Sequence, residues 1–332
     1  MTALRTDPAC QTSAAGRGRS AAVRAAVVAA LAIAVGSLFL ASYALALGDP
    51  VPHRIDVAVV GDPSTHRDVV GTIERAAGNG VDFHPYPSVA AAVGAIGHQQ
   101  VYAALDVTPP APHLYVASAA GASVARVLEG AAAAAQIPVV DTHPLPASDP
   151  VGLDVFYLVI AATILGFLTV FQVRTNAAGL SLRDWTVFVV SFALAAPLVL
   201  VLVAGPLLHR LPLPVVESWG IVALQLTTVA TFASTMVVLI GRWAILPTFL
   251  LFMVVGNASS GGAVAPPLLP HAYGTVSQWL PSGATVTALR DAIYFHSDQH
   301  VQPVAVLGVW AVTWLCTMLF VSHRRRTSPG IL

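Results

Sequence analysis

Lysine is absent: the sixteen basic residues of this 332-residue chain are all arginine. A phosphate-binding loop of the G-x-x-x-x-G-K-[ST] type needs a lysine against the phosphates, so the chain has no P-loop route to ATP hydrolysis. Cysteine is nearly absent too, with Cys10 and Cys316 at opposite ends. That distribution excludes a disulfide framework or a cysteine zinc site in the stretch between them. Charge is scarce, at 10% of residues against about 25% in soluble domains. Sixteen acidic residues balance the arginines, so no basic excess argues for a nucleic-acid partner. Catalytic signatures are missing as well. Val59-Val60-Gly61-Asp62-Pro63 lacks the G-x-G-x-x-G spacing of a dinucleotide turn, and Ser259, Ser260 and His271 share a segment without a G-x-S-x-G. The chain reads as a non-enzyme with no cofactor.

What is present is apolar surface. Hydrophobic residues make up 56% of the chain, and mean hydropathy is +0.75, so a lipid bilayer is the expected solvent. A helix needs about 20 apolar residues to span one. Candidate spans are 25–47, 153–173, 185–208, 218–240, a short one at 243–255 with some following residues, and 303–321. For the first, Ala44-Leu45-Ala46 has the small-residue form of a signal-peptidase site, but the apolar run is long for a signal peptide and reads as an uncleaved anchor. The predicted fold is therefore an α-helical integral membrane protein with six transmembrane helices.

Arginine positions orient it. Arg5, Arg17, Arg19 and Arg24 precede the first span, Arg174 and Arg183 flank the turn after the second, Arg242 follows the fourth, and Arg324, Arg325 and Arg326 follow the sixth. With six spans these segments share one face, which the positive-inside rule assigns to the cytoplasm. The expected organisation is a cytoplasmic tail at 1–24, helix 1 at 25–47, an extracytoplasmic domain at 48–150, a five-helix membrane domain at 151–322 and a cytoplasmic tail at 323–332. The 206–217 turn and the 257–302 connection then lie outside, and the protein is a multi-pass component of the cytoplasmic (inner) membrane.

Between 55 and 141 the pattern alternates strand and helix: strands at 55–60, 81–86, 101–107, 113–117 and 138–141, helices at 65–77, 88–96 and 123–135. This predicts a small α/β domain with a partly parallel sheet. Its histidines (His53, His66, His84, His98, His113, His143) have no metal-ligand spacing. His296 and His300, bracketing Asp298, are the tightest pair; on a helix they would share a face, but a polar loop at a membrane surface yields such clusters freely, and no metal site is assigned.

Ionisable residues inside spans mark ion pathways, whereas Asp154, Asp184 and Glu217 all fall at span ends. The fourth span has an uncharged polar face, with Thr227, Thr231 and Ser234/Thr235 at helical spacing and Gln225 and Thr228 nearby. These side chains either line a path or bond back to their own helix. Pro197 and Pro247 predict kinks.

The most informative stretch is Asn257-Ala258-Ser259-Ser260-Gly261-Gly262-Ala263-Val264-Ala265-Pro266-Pro267-Leu268-Leu269-Pro270, followed by Trp279-Leu280-Pro281 and Thr287-Ala288-Leu289-Arg290. Small residues there permit close backbone approach, and Gly261 and Gly262 can take positive φ. The prolines turn the chain, and the two short elements on either side of Pro281 predict a re-entrant or interfacial hairpin before helix 6. Arg290 is read either as paired with Asp291 or Asp298 or as a solvated arginine at the interface.

This order of elements, with its Ser-Gly-Gly loop, two Leu-Pro steps and Ala-Leu-Arg, resembles the permeases of ABC-2 type exporters, most closely the phage-infection-protein (YhgE/Pip) group. Gly97-His98-Gln99-Gln100-Val101-Tyr102-Ala103-Ala104-Leu105 is similar to a strand of that group's external domain. The resemblance implies an export permease working as a homodimer or paired half-permease, with ATP hydrolysed by a separate ATP-binding cassette subunit. It makes Asn257, Ser259, Ser260, Gly261, Gly262, Pro266, Pro270, Pro281 and Arg290 the outer-loop motif. Arg174, Arg183 and Asp184 become the candidate contact for the ATP-binding subunit, although on sequence alone an ordinary positive-inside turn is the better reading of them. The alternative reading is a non-transporting scaffold or receptor of the cell envelope whose external domain binds a partner. Cysteine labelling, in a background lacking Cys10 and Cys316, is expected to find sites near Ala120, Leu211 and Gln278 outside and sites near Ala178 and Arg325 inside; a cytoplasmic Ala120 overturns this map.

Overall fold

A computed structural model describes residues 8–177, 180–296 and 298–327, with the side chains of 8–21, 182 and 325–327 outside that description. Arg5 and Ala178 thus fall outside the described residues, as do the side chains of Cys10, Arg17, Arg19, Arg325 and Arg326. Helix α1 (Pro8–Leu47) leads into the α/β unit. Its order is β1 (Ile55–Val60), α2 (Arg67–Ala76), β2 (Val81–Tyr86), α3 (Val89–Gly97), β3 (Ala103–Asp106), β4 (His113–Val116), α4 (Ala122–Ala135) and β5 (Val139–Asp141). The five strands lie in the order β2-β1-β3-β4-β5. Only the β3–β4 pair is antiparallel; β1 pairs in parallel with β2 and β3, and β4 with β5.

Strand alternation sets the two faces of this sheet. Ile55, Val57 and Val59 point with Leu105 and Leu114 toward Ile73, Val124 and Leu128 of α2 and α4. Ala58 and Val60 point the other way, toward Ala92 and Ile96 of α3. Both faces are completed from outside the unit. Ala265 and Leu268, each 1% exposed, enter the α2/α4 face, and Phe295, 2% exposed, enters the α3 face.

Among the described residues, five helical stretches are long and apolar enough to cross a membrane: Ala22–Leu47, Asp154–Asn176, Arg183–Leu207, Val215–Asn257 and Val301–Arg324. They mark a multi-pass membrane protein. The last four contain α5 (Asp154–Asn176), α6 (Leu182–Leu202, prolonged by the π-helical turn Val203–Leu207), α7 (Val215–Ile240) and α11 (Val301–Thr327).

The sequence predicts six spans, and the difference lies after α7. The chain turns sharply at Gly241 (φ 60°), runs through a 3₁₀ turn (Gly241–Ala244), and continues as α8 (Ile245–Phe249) and eight π-helical residues, Leu250–Asn257. Gly241 supplies the left-handed backbone that a side chain would resist. The 43-residue apolar stretch is therefore a hairpin: Phe232 of α7 meets Phe252 edge-on at 5.3 Å between ring centroids. Its second limb is short. At about 1.5 Å per residue it covers roughly 20 Å, against the roughly 30 Å of a hydrocarbon core, so 243–255 is not a full span by itself.

Register along the bundle follows from named contacts. Gln225 of α7 meets Thr163 of α5, and Gly166 of α5 backs onto Val229, so α5 and α7 run parallel. Trp219 of α7 donates its indole N–H to the carbonyl of Leu194, and Trp185 borders one cavity with Val237 and Val238, so α6 runs antiparallel to α7. The final turns of helix α1 carry its named contacts with the bundle. Phe39 packs on Phe249, Ser42 donates to the carbonyl of Val254, Tyr43 accepts from Asn257, and Ala46 is buried against Ala258 and Leu269.

The connection from Asn257 to α11 contains α9 (His271–Ser277) and α10 (Pro281–Tyr294). Because Leu268 stands in the α/β core while Leu269 beside it packs on Ala46 of α1 and Ala258, truncation there should loosen the seating of the α/β unit. Leu268→Ala is expected to cost about 2–5 kcal/mol and to raise the protease sensitivity of the α/β unit in the lipid-embedded protein. Protection equal to that of the parent would mean that Leu268 does not hold the unit.

Candidate functional site

Three groups of residues converge around the Asn257–Arg290 connection, and the deepest lies inside the bundle. Gln225, fully buried about three turns into α7, donates from Nε2 to Thr163 Oγ1 (3.0 Å) and toward Ser282 Oγ (3.5 Å), and its Oε1 accepts from Thr285 Oγ1 (3.1 Å). Ser282 and Thr285 belong to the first turns of α10, where Pro281 starts the helix without needing an N–H partner. Gly256 approaches the same Ser282 hydroxyl. The limb after α7 therefore ends, and α10 begins, at one level of the bundle, beside a buried glutamine.

The rest of the polar face of α7 does not line a common space. Thr231 Oγ1 donates to the carbonyl of Thr227 at 2.7 Å, and Thr235 donates to that of Thr231 at 2.8 Å. They bond back to their own helix, as hydroxyls do when no partner helix offers an acceptor. Ser234 differs: buried and without a hydrogen-bond partner, it borders a cavity of about 230 Å³ with Arg174, Trp185 and Ser322. Of the candidate contact residues, Arg174 thus faces that cavity, Arg183 is exposed, and Asp184 closes the N-terminal turn of α6 with Ser181.

The second group is the loop itself. Asn257 (1% exposed) donates to the Tyr43 hydroxyl at 2.9 Å. Ser259 Oγ donates to the carbonyl of Val255, and Ser260 Oγ to that of Asn257, both at 2.8 Å. Each adds a second donor to a carbonyl that already takes a backbone N–H, from Ser259 and Ser260 respectively. Gly261 has φ 76° and faces the Pro266 ring. Gly262 has no positive φ, contrary to expectation; what requires glycine there is space, since a Cβ would lie 2.6 Å from Cδ2 of Phe156. The loop is then tied to the α/β unit by Ser123 Oγ, which accepts from Ala265 N, and by Pro267 O, which accepts from His53 N. Pro266 opens the 3₁₀ turn that delivers Leu268 to the sheet, and Pro270 precedes α9.

The third group joins α10 to the α/β unit. Asp291, fully buried, accepts from Gln99 Nε2 (2.6 Å) on one oxygen and from the backbone N–H (3.2 Å) and Nδ1 (3.0 Å) of His300 on the other. Asp298 takes His98 at 2.6 Å. Neither carboxylate pairs with Arg290, which corrects the paired reading of the sequence. Arg290 instead donates one hydrogen bond, from Nη2 to the carbonyl of Gly262 at 3.2 Å. The His296/His300 pair separates as well: His300 turns to Asp291, and no group of three or more metal-ligating side chains occurs among the described residues.

Residues that motif reading passed over complete the site. Asp149 accepts from the N–H groups of Gly152, Leu153 and Asp154, holding the start of α5; an aspartate just before an apolar run is a helix-start signal. Phe156 and Tyr102 gave no such signal, because only the folded chain brings them to Gly262 and Arg290. No family model, curated protein or solved structure matches this chain. The site therefore has to be read from its own geometry.

That geometry gives the junction a pH dependence. Burial lowers the affinity of His300 for a proton, but its hydrogen bond to Asp291 and the charges of Asp291 and Asp298 more than offset this, so its pKa stands above the ordinary 6.5. His143, stacked on Phe295, is shifted down, by burial first and then by His296, against Asp141. A raised histidine contributes stability fully present below pH 6.5 and lost as pH climbs through the folded pKa; His143 acts oppositely. His300→Gln keeps a donor for Asp291 but does not titrate. The thermal midpoint of the parent should exceed that of His300→Gln below pH 6.5, the gap narrowing as pH rises. A gap that does not vary with pH removes His300 as the titrating group.

Proposed function

We propose that this chain is the permease subunit of an ABC-2 type export system, acting as a homodimer or paired half-permease in the cytoplasmic membrane with ATP hydrolysed by a separate subunit. The observation that carries this reading is the interrupted helix. The limb ending at Asn257 and the start of α10 meet beside Gln225, and the chain between them leaves the bundle to reach the α/β unit. Helices broken within a bundle expose backbone polar groups that are tolerated only when protein or a water-filled cavity covers them, and transporters use such breaks at their substrate paths.

In this reading the limb and α10 together make one crossing. That brings the number of crossings to six and puts both termini on the cytoplasmic face, with the α/β unit outside. Support comes from the arginines. Arg210, in the turn between α6 and α7 on the proposed outer side, is neutralised by Asp154 at 2.7 Å, whereas among the described residues Arg174 and Arg183 have no carboxylate partner, which fits the cytoplasmic side. The burial of Ala46 and the bonds of Ser42 and Tyr43 to the limb support an uncleaved first helix.

The second reading, a scaffold or receptor, is favoured by one feature: both polar ends of Gln225 are engaged by Thr163, Ser282 and Thr285, so the polar centre is closed rather than open to a path. The experiment that separates the two is biochemical. Purified alone in lipid, the protein should hydrolyse no ATP, and affinity purification from its native host should recover an ATP-binding cassette subunit. Repeated recovery with envelope proteins and no ATPase moves the assignment to the scaffold.

A further inference from the structure

Between the α/β unit and the outer loop lies a cavity of about 240 Å³ whose lining includes Gln99, Tyr102, Ser260, Thr287, Arg290 and His300. We propose that it is a binding site for a phosphate-type oxyanion, held by Arg290 and Tyr102. The inference is independent of whether the chain exports a substrate or serves as a scaffold.

Three observations carry it. First, Arg290 is a cation with unused capacity. A guanidinium has five N–H donors, yet among the described residues Arg290 makes one hydrogen bond, to the carbonyl of Gly262, and belongs to none of the ion pairs. The neighbouring carboxylates are committed elsewhere: Asp291 to Gln99 and His300, Asp149 to the first N–H groups of α5. Withdrawing such a charge from water without a counter-ion is costly, and an oxyanion taking two of its parallel N–H groups offsets that cost.

Second, no aspartate or glutamate borders the cavity; Asp291 and Asp149 lie within electrostatic reach of Arg290, but each is held by its own hydrogen bonds behind the wall. Third, Tyr102 adds a neutral donor. Burial, partly offset by Arg290, pushes its pKa up to about 12, so the phenol keeps its proton at any physiological pH. The volume holds a tetrahedral oxyanion with a few waters, at about 30 Å³ per water.

The oxyanion has two possible sources, free phosphate or a lipid headgroup, and the test includes both. Full-length protein in phosphate-free maltoside is titrated in one arm with inorganic phosphate, followed by thermal midpoint, and in the other with fluorescent phosphatidylglycerol. Parent protein should bind at least one probe. Arg290→Gln should weaken that binding about tenfold or more, and Tyr102→Phe, which preserves the ring, by severalfold. Saturation by phosphate alone identifies a soluble ligand and by phosphatidylglycerol alone a lipid; either supports the site. Should Arg290→Gln fail to fold, Tyr102→Phe decides. A parent that binds neither probe, or variants that bind as the parent does, overturns the proposal.

Discussion

The structure depends on one connection satisfying two cores. A five-stranded sheet needs both faces covered, and α2, α4 and α3 do not complete the task alone. Ala265 and Leu268 fill the remainder of one face and Phe295 the remainder of the other. Each comes from the 257–302 connection, on opposite sides of α10. Burying a leucine or phenylalanine contributes about 1.5–3 kcal/mol, so the sheet is gripped from both sides by a segment whose middle belongs to the bundle. The α/β unit is thereby seated on α10 rather than tethered only by its own ends.

That seating constrains the backbone. Between Asn257 and Pro281 the chain is neither helix nor strand for much of its length, and a buried irregular backbone has to find hydrogen-bond partners. The sequence supplies them from short polar side chains. Ser259 and Ser260 reinforce carbonyls of the preceding helix that also take a backbone N–H, and Ser123 of the α/β unit takes an N–H of the loop. Proline removes N–H groups where none is wanted, at Pro266, Pro267, Pro270 and Pro281. The small-residue and proline pattern is therefore the set of residues that lets a non-repeating chain pass between two cores.

Much of the α/β unit was legible because local pattern decides it. Alternation places Ile55, Val57 and Val59 on one face and Ala58 and Val60 on the other, and the strands and helices stand where that pattern predicts them. The apolar helices were equally legible from length. The reversal at Gly241 was visible only as a short apolar segment, because hydropathy cannot separate a half-length limb from a thin span; the contact of Phe232 with Phe252 does. Polar partners were the least legible. Arg290 precedes Asp291 in sequence, but consecutive helical residues point about 100° apart. Asp291 therefore faces Gln99 and His300 while Arg290 faces Gly262, an outcome set by helix phase and by where the α/β unit docks.

The same phase argument links the outer face to the buried glutamine. Helix α10 carries Ser282 and Thr285 against Gln225 at one end, and Arg290 and Asp291 against the loop and the α/β unit at the other. These positions are joined by about two helical turns, over which an α-helix transmits rotation and translation with little internal give. Tilting the α/β unit would carry Gln99, and with it Asp291, so α10 would have to rotate, bend or break that bond. Rotation would pull Thr285 from the amide oxygen of Gln225, leaving that buried oxygen unpaired at a cost of about 1–3 kcal/mol. The two polar ends of α10 are consequently coupled: a bound group that changes how Arg290 and the loop sit against the α/β unit alters, through one helix, the hydrogen bonds that close the centre of the bundle.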